Sequence, residues 1–241
     1  MKPHLVFLAS AVFAATASAT LIPLGAIPST GNGIGAVNTS LTFQGQGQAT
    51  TESGCVAFNG TTAVTGVCPS GFAGGSESSG ASQTNVFTGA QLGFTATRNF
   101  SNLLLIFNGN EGGNAADQPI TLSSLGLSLY SATGVLLQTF TTTAPYTALA
   151  FPGVGQAGFG FALDGPQAAA ANLILAANPN LRVGTSANAT NSNGGPETIQ
   201  LVTVNAVPTQ FDSSVPEPGT IGMLGCGLLL LAVRKRLALL A

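Results

Sequence analysis

The chain has 241 residues, of which only 6% are charged and 45% hydrophobic, with 32 glycines, no tryptophan and a formal net charge of −2. Disorder driven by charge is excluded, because chains that stay unfolded are highly charged and poor in apolar residues. Between residues 20 and 212 the only basic residues are Arg98 and Arg182, against Glu52, Glu77, Glu111, Asp117, Asp164, Glu197 and Asp212. That balance cannot neutralise a phosphate backbone, so nucleic-acid binding is excluded as well.

The first nineteen residues read as a secretory signal peptide. Lys2 is the positive n-region, Leu5 to Ala15 an apolar h-region, and Ala17-Ser18-Ala19 a small-residue cleavage site. Cleavage between Ala19 and Thr20 by signal peptidase, after passage through the Sec translocon, predicts an exported domain over residues 20–212. No cysteine follows the site, which disfavours a lipoprotein signal. Export is also an oxidising route. Cys55 and Cys68 are therefore expected to form a disulfide, worth about 3 kcal/mol in the chain-entropy picture. Cys226 reads as a small buried residue among glycines in an apolar run.

Residues 20–50 show little periodicity and read as a lead-in followed by an edge strand near Leu41–Phe43. Val56–Phe58 and Ala63–Val67 predict a hairpin around the two-residue turn signal Asn59-Gly60. Pro69 to Gln83 reads as a Gly/Ser loop. Leu92, Phe94 and Ala96 alternate with Gly93, Thr95 and Thr97 as a half-buried strand should. Leu103 to Phe107 is a continuous apolar run, expected as a central strand. Ile120 and Leu122 are in even phase, whereas Leu125, Leu127 and Leu129 are in odd phase, so a bulge is expected at Ser123-Ser124. Val135–Phe140 follows the turn at Thr133-Gly134, and Phe159, Phe161 and Leu163 alternate with small residues.

Asp164-Gly165-Pro166 opens one helix, about Pro166 to Ala177, with Pro166 in its first turn and Pro179 just past its end. Leu181–Thr185 and Ile199–Val204 supply two closing strands. Many short strands, frequent turns and one helix predict a mainly β, sandwich-like exported domain. A β-solenoid needs a fixed-period repeat, and none is found.

Chemistry is sparse. The only histidine is His4, inside the signal peptide, and no lysine lies between Lys2 and Lys235. A Ser-His-Asp triad, a Cys-His pair, a Schiff-base lysine and a His-bound zinc are thus all missing from residues 20–212. A pair of carboxylates for glycoside hydrolysis stays open in principle, but the expectation is a non-enzymatic protein. The densest polar stretch runs from Asn108 to Asp117, with Asn108, Asn110, Glu111 and Asp117 as candidate oxygen ligands for Ca²⁺. It lacks EF-hand spacing, and its other reading is a turn-rich connection. Four Asn-x-Ser/Thr triplets begin at Asn38, Asn59, Asn99 and Asn188, as expected in a chain rich in these residues.

The C-terminal stretch is the most informative. Pro216 and Pro218 fix their own φ and push Val215 and Glu217 toward extended geometry. The result is an extended peptide, Val215-Pro216-Glu217-Pro218, of the shape a processing enzyme binds. Ile221 to Val233 carries no charge, and Arg234-Lys235-Arg236 follows as a basic stop. At about 1.5 Å per residue the run spans roughly 20 Å as a helix, short of a ~30 Å hydrocarbon core. Gly219, Thr220 and snorkelling arginines extend it, giving a transmembrane helix at about 219–233 with a cytoplasmic basic end.

This order of parts over residues 213–241 resembles the PEP-CTERM sorting signal of Gram-negative bacteria. The same terminal domain also goes by the label ice-binding protein C-terminal domain, which implies no ice binding. The resemblance implies an exosortase-type processing enzyme as partner, the inner membrane as a first location, and the cell surface or extracellular matrix as the last. It further implies an association with exopolysaccharide and biofilm matrix. A carbohydrate- or ion-binding β-sandwich module at the cell surface is the alternative, although no tryptophan and only two tyrosines are available to build a sugar platform.

Overall fold

The structure is a computed structural model and describes residues 20–27, 38–45, 50–78, 83–109, 119–149, 158–192 and 196–208. The expected signal peptide and the sorting segment lie outside the described residues.

Among the described residues twelve strands form one sheet. They are β1 (Thr20–Ile27), β2 (Asn38–Phe43), β3 (Thr51–Phe58), β4 (Ala63–Thr65), β5 (Phe87–Thr88), β6 (Leu103–Asn108), β7 (Pro119–Tyr130), β8 (Leu136–Thr142), β9 (Tyr146–Leu149), β10 (Gly158–Leu163), β11 (Arg182–Thr190) and β12 (Glu197–Thr203). Their order is β2-β12-β6-β10-β1-β8-β7-β11-β3-β4, with β5 beside β11 and β9 beside β7. Among the described residues the pairings are antiparallel except β1 with β8, where Thr20 meets Thr141 and Leu21 meets Thr142.

The sheet curls until β2 faces β3, and residues 76–78 stitch the seam. Ser76 accepts from the Gln44 amide at 2.7 Å and donates to Ser53 at 3.1 Å, while the Ser78 amide reaches Thr42 at 2.9 Å. The Gly/Ser stretch expected to be a loop therefore closes the fold. Inside the curl Leu41, Phe43, Leu105, Phe107, Leu125, Leu127, Phe140, Phe161 and Ile199 form a single buried core. The result is sandwich-like and mainly β, as the turn-rich composition predicts.

Several elements follow directly from the sequence pattern. The apolar run 103–107 is β6, central between β12 and β10. The phase change in β7 is a bulge. Asn188 pairs with Ser124 and Ala189 with Leu122, leaving Ser123 as the extra residue. That one residue lets leucines of both phases face the same core. The helix α1 (Gly165–Ala177) begins at Asp164, whose carboxylate accepts from the Gln167 amide at 2.8 Å.

Other elements differ from the expectation. Residues 20–27 are no lead-in but an interior strand. Pro23 and Gly25 obscure its periodicity because the register shifts between them, which is where a central strand tolerates proline. Residues 89–98 are a chain of turns rather than a strand. Gly93 has φ of +74°, the Phe94 amide turns back to Gly89, and Phe94 packs edge-on against Phe100 at 4.9 Å. The hairpin after β3 closes through the four residues 59–62. Phe58 pairs with Ala63, and the Asn59 side chain accepts from the Thr61 and Thr62 amides at 2.9 Å.

One buried group stands out energetically. Glu52 is 2% exposed and pairs with Ala189, a core residue, so it shares the inward face, and neither carboxylate oxygen has a partner. A buried polar group without a partner costs its desolvation. Glu52→Met is expected to raise the unfolding free energy by about 1–3 kcal/mol. Urea denaturation checks this, and a loss of stability would contradict it.

Candidate functional site

The sorting residues Val215, Pro216, Glu217, Pro218, Arg234, Lys235 and Arg236 lie outside the described residues, as does Ala19. Among the described residues no helix is long and apolar enough to cross a membrane, and the run 221–233 is not among them. Thr20, the expected first mature residue, opens β1 within the sheet. The structure does show how the chain is anchored where it departs toward the sorting segment. Thr203 Oγ1 donates to the Leu92 carbonyl at 2.6 Å, the Val204 amide to Asn102 at 2.9 Å, and Asn102 Nδ2 to the Asn205 carbonyl at 2.9 Å. Arg98 donates to the Asn205 side chain. The turns at 92–102 thus fasten residues 203–205, and this is the role the structure gives Arg98.

Of the Ca²⁺ candidates, Asn108 is buried at the end of β6, paired with Thr198. Asn110, Glu111 and Asp117 lie outside the described residues.

Cys55 and Cys68 are bonded, with an S–S distance of 1.98 Å and a Cα–Cα distance of 5.4 Å. Glu77 comes close enough that its carboxylate and the two sulfurs lie within 4.8 Å of one another. This trio is a clamp and not a metal centre. The sulfurs are bonded to each other and offer no thiolate, while the Glu77 oxygens accept from the Cys55 amide at 2.9 Å and the Gly75 amide at 2.8 Å. Disulfide and carboxylate together fix residues 68–77 against β3, which places the 76–78 stitch. Sequence spacing does not reveal Glu77, because the partner that makes it a clamp is the Cys55 amide of the distant strand β3.

An open cleft of about 830 Å³ lies beside β4. It exists because the sheet splits there. β3 pairs with β11 from Thr190 as far as Ser186, while β5 takes over the same edge of β11 at Val183 and Arg182. At Gly184 the β3 backbone crosses so closely that a Cβ would sit 2.3 Å from the Val56 carbonyl oxygen. Only glycine permits that approach. β3 then veers away with β4, and a wedge opens between this hairpin and residues 84–88.

One wall of the wedge is Thr61 to Thr65 and the other Thr84 to Thr88 with Gln91. The second wall is tied to β2, since the Asn85 amide donates to Ser40 at 2.9 Å and Ser40 Oγ to Asn85 at 3.2 Å. Gln91 braces it further by accepting from the Thr88 amide at 2.8 Å. Phe58 lines the cleft with the Arg182 guanidinium 5.2 Å from its ring centroid, and Arg182 also donates to the Asn180 carbonyl at 2.9 Å. Among the described residues no acidic one lines the cleft. Tyr130 lies opposite Arg182 in the next strand, and burial raises its phenol above the usual range, partly offset by its hydrogen bond with Ser128. Sequence reading lists Arg182 as one of two isolated bases and gives no sign of the cleft, because the wedge depends on Gly184 and on the unpredicted β5.

Comparison with known proteins bears on the sorting segment alone. A family model described as "PEP-CTERM protein-sorting motif" matches residues 214–236. No curated protein matches the chain, and neither does any solved structure. The matched span takes in the Pro-Glu-Pro triplet, the uncharged run and the basic cluster in that order, and by it this chain is a carrier of the PEP-CTERM protein-sorting motif.

Proposed function

We propose that the chain is an exported, non-enzymatic protein, held in the inner membrane as a precursor, which an exosortase-type enzyme cleaves and passes to the cell surface or extracellular matrix. The match over residues 214–236 carries this reading. The physical support is the order of parts. The prolines keep residues 215–218 extended and readable outside the membrane, the apolar run holds the chain, and Arg234–Arg236 fixes its orientation. In the exported domain the disulfide suits a body that works outside the cytoplasm. Non-enzymatic action is supported by the absence of histidine and lysine between residues 20 and 212. It is supported also by the structural employment of Asp164 at a helix start and Glu77 in the clamp. Signal peptidase and the Sec translocon are the remaining partners on this route. Removing residues 213–241 tests it: the body is expected as a soluble periplasmic protein, and an unchanged surface location would contradict the proposal.

A second reading, a binding module, is favoured by the cleft beside β4. A concave site of about 830 Å³ is in the size range of small-ligand sites, and its walls, rich in threonine and amide side chains, suit a polar ligand. The two readings are compatible, since a sorted surface protein needs something to do once displayed.

A further inference from the structure

We infer that the cleft beside β4 binds a carboxylated saccharide, with the sugar carboxylate on Arg182; this rests on the binding-module reading. The charge argument comes first. Two bases serve the whole span 20–212, and Arg98 is used to fasten Asn205. Arg182 is the other, and it stands in this cleft, which no acidic residue among the described residues lines. Its partners among the described residues are the Phe58 ring and the Asn180 carbonyl. A cation placed so, in a chain with net negative charge, selects an anion.

Arg182 is also held in one orientation. The contact with Phe58 and the bond to Asn180 leave the rest of a five-donor planar group for a ligand, and that fork matches a carboxylate in bidentate geometry. The remaining surface identifies what bears the carboxylate. Hydroxyls of Thr62 and Thr65 supply both donors and acceptors, as sugar hydroxyls require, and Asn85 Nδ2 adds a donor, whereas Thr84 Oγ1 is committed to the Ser78 carbonyl; the half-buried Val64 offers apolar surface for the C–H face of a ring. The volume, about 830 Å³, accommodates more than one sugar ring. An extended acidic peptide fits less well. β4 is three residues long, which is too short an edge for the ladder by which strands capture peptides.

The test uses the full-length chain in detergent and calorimetric titration with an oligogalacturonate, its neutral methyl ester, and an acidic peptide. The acid oligomer is expected to bind, and the methyl ester about 10-fold or more weaker, since a charge-assisted pair is lost. Arg182→Gln is expected to lower affinity for the acid oligomer by a similar factor, and Arg182→Lys to recover only part of it. Equal binding of acid and ester by the unaltered chain would overturn the inference and needs no variant to fold. Tighter binding of the acidic peptide than of the oligomer would overturn it too. Saccharide binding that ignores both esterification and Arg182→Gln would sink the inference and leave the binding module standing. No binding of any of the three ligands would remove both.

Discussion

Replacing Pro216-Glu217-Pro218 with three alanines is expected to abolish the surface form almost completely and trap full-length protein in the inner membrane. The physical reason is local. Each proline lacks an amide hydrogen and disfavours the helical region for its predecessor, so on the proposed reading the triplet is extended above the apolar run. Alanine is the strongest helix former, and three of them would continue the helix outward and hide the backbone from a processing enzyme. The apolar run and basic cluster are untouched, so membrane insertion and orientation persist. Fractionation with an immunoblot separates the outcomes, and an unchanged surface fraction would reduce residues 213–241 to a plain anchor. Removing Arg234, Lys235 and Arg236 acts earlier, on topology, and is expected to scramble orientation before any cleavage.

The second large effect is on stability. Changing Cys55 and Cys68 to alanine is expected to lower the unfolding free energy by about 3 kcal/mol, the loop-closure value for a bridge spanning 13 residues. The loss falls at the seam that closes the curled sheet. Residues 76–78 bridge the backbones of β2 and β3, and they are placed by the disulfide and by Glu77. Denaturant titration of the oxidised and alanine forms measures it. A difference under about 1 kcal/mol would mean that the seam closes without the bridge and that the chain-entropy term is not realised.

What the sequence discloses and what it hides divide along a physical line. Features set by near neighbours are legible: the run of β6, the Ser123 bulge read from a change of phase, and the capped helix after Asp164. Features set by distant contacts are not. β1 contains a proline and a glycine that look like loop residues, and only its two partner strands make it a strand. The turns at 89–98 alternate apolar and small residues like a strand, yet glycine conformations and bonds back to Gly89 fold them tightly to hold residues 203–205. The cleft is the furthest from view, since it follows from one glycine crossing at Val56 and from a two-residue strand. The sorting segment is the opposite case. Its information is an order of residue types along the chain, so it was readable without any fold.

The intact mass of the surface-extracted protein tests the central claim most directly. The account predicts a species that begins at Thr20, contains the Cys55–Cys68 bridge and lacks the residues after about Pro218. A surface species whose mass still includes Arg234, Lys235 and Arg236 would contradict it.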